Sequence, residues 1–284
     1  MRIKITLAVS SNGRIDFNYQ HQMQAIIYQF LARSDPDYAS WLHEQGYVYQ
    51  RDQMFKLFVY SGIIFHGPIM IDDGFVFKGS PSDPFIFYFQ IASPVNQFIQ
   101  HLIDGIFKEG NEITIGRQRA NILRVETLPD PLNPQTSPFV KGGSEGVIDK
   151  GGRKGVALFP LESPIFIKRP MPKGQKDIYL FPGDQGFEEL LIQNLIHKYE
   201  TLYNRVYQGE SLRFEFLPAR GKPVKAFKVF KDARITGEIK GTLRPFKVTG
   251  PEELIRIGLD CGFGQNNSLG CGYVEVVQGE EVGS

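Results

Sequence analysis

The order of strand and helix patterns in residues 1–127 is the strongest constraint on the fold of this chain. The spacing of apolar residues there predicts strands and helices in alternation. In chain order the segments are a strand at Arg2 to Val9, a helix at Gln20 to Arg33, strands at Phe55 to Tyr60 and Phe85 to Ile91, a helix opened by Ser93-Pro94, and a strand region at Glu112 to Thr127. The order β-α-β-β-α-β predicts a ferredoxin-like domain.

The second half of the chain repeats this order without obvious sequence similarity. Its segments are a strand at Ser163 to Lys168, a long helix capped by Asp184, strands at Leu212 to Leu217 and Val224 to Phe230, a helix opened by Pro251, and a last strand at Tyr273 to Val277. Between the halves, Pro131 to Gly155 contains three prolines and six glycines, which is typical of turns and loops. We therefore predict an α+β protein of two tandem ferredoxin-like domains, residues 1–130 and 156–284, joined by a linker or insertion at 131–155.

Composition agrees with two soluble domains. A chain of 284 residues, of which 42% are hydrophobic and 22% charged, is long enough to bury about two cores. No segment approaches the ~20 apolar residues that cross a bilayer, and Ile3 to Val9 is too short and polar for a signal sequence. We therefore expect a cytoplasmic protein without a membrane partner, in which Cys261 and Cys271 are free thiols.

The net charge of +1 first argues against a nucleic-acid partner, because such proteins usually carry a basic excess. The basic residues are, however, concentrated in one segment of the chain. Arg213 to Lys247 contains ten basic residues against three acidic ones, a local charge of +7. This window predicts either a basic binding surface or an ordinary solvated pair of strands with lysines on its outer face.

Gly258 to Gly272 lies between the last helix and the last strand and contains five glycines in fifteen residues. Backbone N–H groups of such a loop can approach a phosphate because no Cβ obstructs them. A dinucleotide-binding fingerprint does not fit, since Asn267 occupies its third glycine position and the loop leads from a helix into a strand. A P-loop does not fit either, because the Gly-Lys-Ser/Thr sequence is missing.

The segment Gly262-Phe-Gly-Gln-Asn-Asn-Ser-Leu-Gly-Cys-Gly272, before a terminal strand on tandem ferredoxin-like domains, resembles the CRISPR-associated repeat-RNA endoribonucleases of the RAMP superfamily. Cys271 stands where that family more often has an aromatic residue. The first half resembles the family too, because three of its segments follow one another in the family's order. They are Ile27-Tyr28, Trp41-Leu42-His43-Glu44 and Phe55-Lys56-Leu57-Phe58.

The resemblance implies cleavage of CRISPR repeat RNA without a metal or other cofactor. In this reaction the ribose 2′-OH attacks the adjacent phosphorus and leaves a 2′,3′-cyclic phosphate and a 5′-OH end. The protein supplies proton transfer, for which a histidine is suited near neutral pH, and stabilises the charged phosphate with a cation and a hydrogen-bond donor. The resemblance assigns these roles to His43, Tyr28 and Lys56.

Helix geometry supports Tyr28 separately. At about 100° per residue, Tyr28 lies roughly 130° from a buried stripe centred near Met23 and Phe30, so an aromatic side chain there needs another role. An exposed tyrosine and a plain helix-end histidine are the alternatives for Tyr28 and His43. Four further histidines are weaker candidates and lack metal-ligand spacing; they are His21, His66, His101 and His197.

The glycine-rich loop and the basic window together predict the RNA-binding residues. These are Gly262, Gly264, Asn267, Ser268, Gly270 and Gly272 of the loop, and Lys225, Lys228, Lys231 and Arg234 of the basic strands. The expected partner is CRISPR repeat RNA, and the sequence leaves open a CRISPR effector complex and a homodimer. A second interpretation is a non-catalytic RAMP-type subunit that holds repeat RNA within an effector complex, with His43 taking no part in chemistry.

Overall fold

The fold is that of a computed structural model, which describes residues 1–50, 53–108, 110–133, 147–148, 154–172, 174–175, 177–219, 223–231 and 234–276. Most of the predicted linker at 131–155 lies outside the described residues, so its role stays a prediction.

The elements of the N-terminal half follow the predicted order with several short additions. Its helices are α1 (Gln20–Ser34), α2 (Pro36–Glu44) and α3 (Asn96–Lys108). Its strands are β1 (Arg2–Val9), β2 (Gly13–Ile15), β3 (Tyr47–Tyr49), β4 (Gln53–Phe55), β5 (Val59–Tyr60), β6 (Ile64–His66), β7 (Met70–Ile71), β8 (Phe75–Phe77), β9 (Phe85–Ala92), β10 (Glu112–Ile115) and β11 (Gln118–Leu128).

The main sheet of this half has the strand order β10-β11-β1-β9-β5, with β6 also paired to β9. In the central strand, Ile5 lies opposite Phe89 on one side and Val125 on the other, and both pairings are antiparallel. The predicted strand from Phe55 to Tyr60 is wrong as one element, because β4 and β5 are separate and Leu57 between them has a left-handed φ of 51°.

Helices α1 and α3 cover the sheet and contact each other closely. Ile3, Ile5 and Leu7 of β1 are fully buried beneath them. The helices meet at Gly105, where an added Cβ would lie 1.8 Å from the carbonyl oxygen of Phe30. A glycine is therefore required for this helix packing.

The C-terminal half contains the helices α4 (Phe187–Tyr203) and α5 (Glu252–Cys261). Its strands are β12 (Val147–Ile148), β13 (Lys154–Pro160), β14 (Ile167–Arg169), β15 (Ile178–Leu180), β16 (Arg213–Phe216), β17 (Val224–Lys231), β18 (Arg234–Thr242), β19 (Phe246–Thr249) and β20 (Val274–Val276). The sheet order is β12-β13-β19-β16, with β20 also paired to β13, while β17 and β18 form a separate hairpin.

Each half therefore has the sheet of a ferredoxin-like domain, with its first strand between the third and fourth, and the predicted α+β class is confirmed. Three details of the prediction for the second half are wrong. The segment Val224 to Phe230, counted as the third strand, pairs with β18 in the separate hairpin, and β19 takes the place of the third strand in the sheet. The first strand of its sheet is β13 and not Ser163 to Lys168, whose residues Ile165 and Phe166 bridge to Thr242 and Gly264 instead. Asp184 does not cap α4, because its carboxylate accepts the N–H of Phe181.

The two halves pack against each other through buried polar contacts. Arg2 of β1 is 5% exposed and donates a hydrogen bond to the carbonyl oxygen of Val274, while its guanidinium lies 4.4 Å from the ring centroid of Tyr273. The Tyr273 hydroxyl in turn donates to the side chain of Gln90 on β9. Within the described ranges, no helix is long and apolar enough to span a membrane.

Candidate active site

Tyr28, His43 and Lys56 lie together although they come from three different segments. Tyr28 is on α1, His43 is in the last turn of α2, and Lys56 directly follows β4. The rings of Tyr28 and His43 meet edge to face with centroids 5.0 Å apart. Lys56 Nζ donates a hydrogen bond of 2.8 Å to the main-chain carbonyl oxygen of His43. A phenol, an imidazole and an ammonium group thus share one site.

The ends of α2 explain why His43 is where it is. The helix begins with Asp35 as N-cap and Pro36 in its first turn, and it ends before Gly46. Gly46 has a left-handed φ of 67°, and an added Cβ would lie 2.7 Å from Phe55 O and 3.0 Å from Lys56 Cδ. Glycine at this position therefore lets Lys56 approach the end of α2.

Burial shifts the pKa of two of the three groups. Tyr28 is half-buried against Phe58, and this burial raises the pKa of Tyr28, so its hydroxyl stays protonated and can donate a hydrogen bond. Among the described residues, no group accepts a hydrogen bond from that hydroxyl. Burial lowers the pKa of Lys56, which is also half-buried, whereas His43 is exposed. The only exposed one of the three is the group suited to proton transfer.

The other histidines lie elsewhere. His21 and His66 are exposed, His101 contacts the hydroxyl of Ser34 at 3.0 Å, and His197 stacks on Tyr49. Within the described part of the chain, no three His, Cys, Asp or Glu side chains are grouped closely enough to hold a metal ion. The cysteines are free thiols as predicted, and both are buried.

The glycine-rich loop between α5 and β20 is closed by its own hydrogen bonds. The N–H of Phe263 donates to Gly272 O at 2.9 Å, and the side-chain amide of Asn267 donates to Cys271 O at 2.8 Å. Gly272 has a φ of 82°, and an added Cβ would lie 1.9 Å from Phe263 O. The loop can therefore close only with glycine at this position.

Lys198 of α4 binds the glycine-rich loop through two main-chain carbonyl groups. Its side chain is 1% exposed, and Nζ donates hydrogen bonds to Gly262 O at 2.6 Å and to Gly264 O at 2.8 Å. Burial lowers the pKa of Lys198 to about 7. No sequence motif marks this lysine, although its position seven residues after Leu191 and three after Leu195 places it in the buried stripe of the helix.

Only the tip of the loop is accessible. Gly262, Gly264, Gly270 and Gly272 are buried, whereas Asn266 is exposed and Asn267, Ser268 and Leu269 are partly exposed. These four glycines present little surface to a ligand, and their contact with phosphate stays a prediction. Their role in this structure is to shape the loop that presents the tip residues.

The predicted basic residues divide into two groups. Lys225 points inward, where Nζ lies 3.0 Å from a carboxylate oxygen of Glu162 and 5.5 Å from the ring centroid of Tyr19. Lys228 and Arg234 are exposed on the hairpin of β17 and β18. Lys231 belongs to β17, and its side chain lies outside the described residues. Lys225 thus links the hairpin to Glu162 of its own half and to Tyr19 of the N-terminal half, whereas Lys228 and Arg234 are open to solvent.

Comparison with known proteins gives consistent matches over both halves. The family model "CRISPR-associated protein Cas6, N-terminal" matches residues 14–126, and "CRISPR associated protein Cas6, C-terminal" matches residues 149–276. A relative from Methanocaldococcus jannaschii, named CRISPR-associated endoribonuclease Cas6 1, is 28% identical over 282 residues, which cover 98% of this chain and 93% of the relative.

Solved structures are similar over the whole length. A structure described as CRISPR associated protein Cas6 has a TM-score of 0.71 and 28% identity, and the match covers 98% of this chain and 99% of that chain. A structure described as a RAMP protein binding different RNA substrates has a TM-score of 0.72, 21% identity and coverage of 98% and 100%, which shows a shared fold. With family models matching both halves, the chain belongs to the Cas6 family of CRISPR-associated proteins.

Proposed function

We propose that the protein is an endoribonuclease that processes CRISPR repeat RNA at the site formed by Tyr28, His43 and Lys56. The observation that carries the proposal is the proximity of these three side chains, with the Tyr28 and His43 rings 5.0 Å apart and Lys56 bonded to the His43 carbonyl. The name of the Methanocaldococcus jannaschii relative, a CRISPR-associated endoribonuclease, supports the same activity.

The proposed reaction uses a nucleophile that belongs to the RNA. The 2′-oxygen forms a bond to the adjacent phosphorus, and the bond from phosphorus to the 5′-oxygen breaks. The proton of the 2′-OH leaves to a base, and the 5′-oxygen gains a proton, which gives a 2′,3′-cyclic phosphate and a 5′-OH. His43 is exposed to an incoming strand and is suited to one of these two proton transfers near neutral pH.

Tyr28 and Lys56 are proposed to stabilise the negative charge on the phosphate in the transition state. The raised pKa of Tyr28 keeps the phenol protonated, so it acts as a hydrogen-bond donor. Lys56 uses one of its three N–H groups on the His43 carbonyl, which leaves the others for a phosphate oxygen. The bond to His43 also fixes where the ammonium group lies.

RNA binding is proposed to involve the loop tip and the hairpin. Asn267 and Ser268 are partly exposed at the tip, and Lys228 and Arg234 are exposed on the hairpin. Cations of this kind contact the RNA backbone, whereas sequence is read through bases that are unpaired or splayed out. The four buried glycines contribute indirectly by shaping the loop.

A second candidate function is a repeat-RNA-binding subunit of a CRISPR effector complex that does not cut. The observation in its favour is that His43 is exposed and, among the described residues, no hydrogen bond fixes the orientation of its ring. In that case the edge contact with Tyr28 would be all that orients the ring.

Incubation of the protein with end-labelled repeat RNA in EDTA separates the two candidates. The endoribonuclease yields a shorter product that ends in a 2′,3′-cyclic phosphate. Retention of the RNA as a stable complex at full length, under conditions in which binding is saturated, would contradict the proposed activity and support the binding subunit.

A further inference from the structure

The segment that carries Lys56 is held by the C-terminal half, although it belongs to the N-terminal half in sequence. Phe55 and Leu57, the two neighbours of Lys56, are 8% and 3% exposed and pack into the C-terminal core rather than the N-terminal core. They lie there among residues that include Leu195 and Tyr199 of α4. The backbone of Lys56 is thus anchored on both sides by the other domain.

The hairpin formed by β3 and β4 adds polar contacts to this anchor. The ring of Tyr49 stacks on the imidazole of His197, with centroids 4.1 Å apart and an angle of 18° between the rings. The Tyr49 hydroxyl donates to a carboxylate oxygen of Glu200 at 2.8 Å, and Gln53 Oε1 lies 2.9 Å from His197 Nδ1. We call Tyr49, Gln53, His197 and Glu200 the clasp.

The hairpin of β3 and β4, which carries Tyr49 and Gln53 of the clasp, lies between His43 and Lys56 along the chain. His43 precedes the hairpin by a few residues, Lys56 follows it directly, and the two are joined by the bond from Lys56 Nζ to His43 O. A shift of the hairpin would therefore move Lys56 relative to His43. Catalytic groups depend strongly on such placement, because a displacement of about 1 Å can reduce a rate roughly 100-fold.

We infer that Tyr49 and His197 are positioning residues for RNA cleavage, through which α4 of the C-terminal half fixes the active site carried by the N-terminal half. The inference rests on the proposed function. Neither side chain is proposed to touch the phosphate. Their effect is on the rate of the chemical step, and the affinity for RNA depends on other surfaces.

Single-turnover cleavage at saturating repeat RNA, with the dissociation constant measured on the same variants, tests this inference. Tyr49→Ala and His197→Ala are each expected to lower the cleavage rate roughly 10-fold, with the dissociation constant changed by less than about twofold. Tyr49→Phe retains the stack and is expected to recover part of the rate. The double variant is expected to be no slower than either single one, because both changes break the same stack.

Tyr207→Ala is the matched control. Tyr207 is also a half-buried tyrosine that packs on α4, through Tyr199 at 5.1 Å between ring centroids, and among the described residues its side chain makes no hydrogen bond or ring contact with the hairpin. Its main-chain N–H donates to Glu200 at 2.9 Å, and the alanine variant keeps that bond. Its cleavage rate should equal that of the wild type, and thermal unfolding of all variants verifies that they are folded. Tyr49→Phe keeps the ring, so its cleavage rate can be measured even if Tyr49→Ala does not fold.

Two outcomes overturn the inference and are distinguishable from each other. Wild-type rates for folded Tyr49→Ala and His197→Ala, or losses that follow the dissociation constant alone, contradict the positioning role and leave the proposed function intact. A wild-type protein that binds repeat RNA and never cuts it contradicts the proposed function, and the inference fails with it.

Discussion

The backbone conformation of Gly46 determines how closely Lys56 can approach the end of α2 in the candidate active site. Its φ of 67° is one that side chains disfavour, and the space where a Cβ would lie is occupied by Phe55 O and the Lys56 side chain. Replacing Gly46 therefore tests the placement of Lys56 without removing any of the three proposed catalytic groups.

Gly46→Ala is expected to lower the rate of RNA cleavage roughly 10- to 100-fold, because Lys56 must move away from the His43 carbonyl. Gly110→Ala is the control, since Gly110 also has a left-handed φ, of 54°, but an added Cβ there meets nothing within 4 Å. Both substitutions impose a backbone strain of about 1 kcal/mol or more. Equal cleavage rates for the two variants would contradict the role of Gly46.

At this scale, the sequence predicts some residues of the candidate site and does not indicate others. Tyr28, His43 and Lys56 were assigned by resemblance, and the structure places them together. Gly46 and Lys198 were not identified, because each acts on a segment distant in the chain. Apolar periodicity reports which face of an element is buried, but it does not report what lies against that face.

At the scale of elements, the glycine-rich loop depends on helix α4. Lys198 reaches from this helix to the carbonyl groups of Gly262 and Gly264, and its ammonium group is fully buried. The burial lowers the pKa of Lys198 from an ordinary value of 10.5 to about 7 in the folded protein. Between these two values, the unfolded chain binds more protons at this position than the folded chain.

The free energy of unfolding should therefore rise with pH above about 7 through this group, by at most about 1.4 kcal/mol per pH unit. Lys198→Met removes the group and should remove that part of the slope. Urea unfolding of both proteins between about pH 7 and pH 8, below the ordinary pKa of a thiol near 8.5, measures the difference. The same slope in the wild type and in Lys198→Met would contradict the lowered pKa.

The positions of buried segments were predicted better than the strands or loops against which these segments pack. The apolar run at Ser163 to Lys168 correctly indicated burial, since Ile165 and Ile167 are fully buried. It did not form the first strand of the second sheet, because it packs beside the glycine-rich loop and Thr242 instead. The strand that does fill this place, β13, starts within the glycine- and proline-rich region and was not recognised for that reason.

At the scale of the whole molecule, a net charge of +1 conceals an uneven distribution. On the hairpin of β17 and β18, Lys225 is paired with Glu162 from the segment between β13 and β14, whereas the cations Lys228 and Arg234 are exposed. The count of basic residues in a window therefore overstates the charge available to RNA. We expect binding through a restricted surface that contacts few phosphates.

Combining Lys228→Ala with Arg234→Ala should flatten the dependence of log Kobs on log salt by about 1.4, at about 0.7 for each phosphate contact of a single strand. Lys225→Ala is the comparison, because it removes a positive charge that is already paired with Glu162. That variant should keep the wild-type salt dependence and unfold at a lower temperature, since Glu162 loses its partner. An unchanged slope in the double variant would exclude these two residues from RNA binding.

The sequence predicted two ferredoxin-like halves, but it did not indicate that a segment of the N-terminal half beside the candidate site packs in the core of the C-terminal half. Phe55 was expected in a strand of the N-terminal sheet, and in the structure it packs in the C-terminal core. The reason is that an apolar residue is compatible with either core, and only the three-dimensional arrangement selects one. Domain boundaries drawn along the chain therefore do not coincide here with the boundaries of packing.

His43 is proposed to transfer a proton during metal-independent cleavage of repeat RNA. The most direct test is the cleavage of labelled repeat RNA in EDTA by the wild type, His43→Ala and His66→Ala. His66 is a matched control because it is exposed and contacts the ring of Tyr88 at 5.1 Å, much as His43 contacts Tyr28. We predict a loss of roughly 10²- to 10⁴-fold for His43→Ala and none for His66→Ala. Cleavage by His43→Ala at the wild-type rate would contradict the claim.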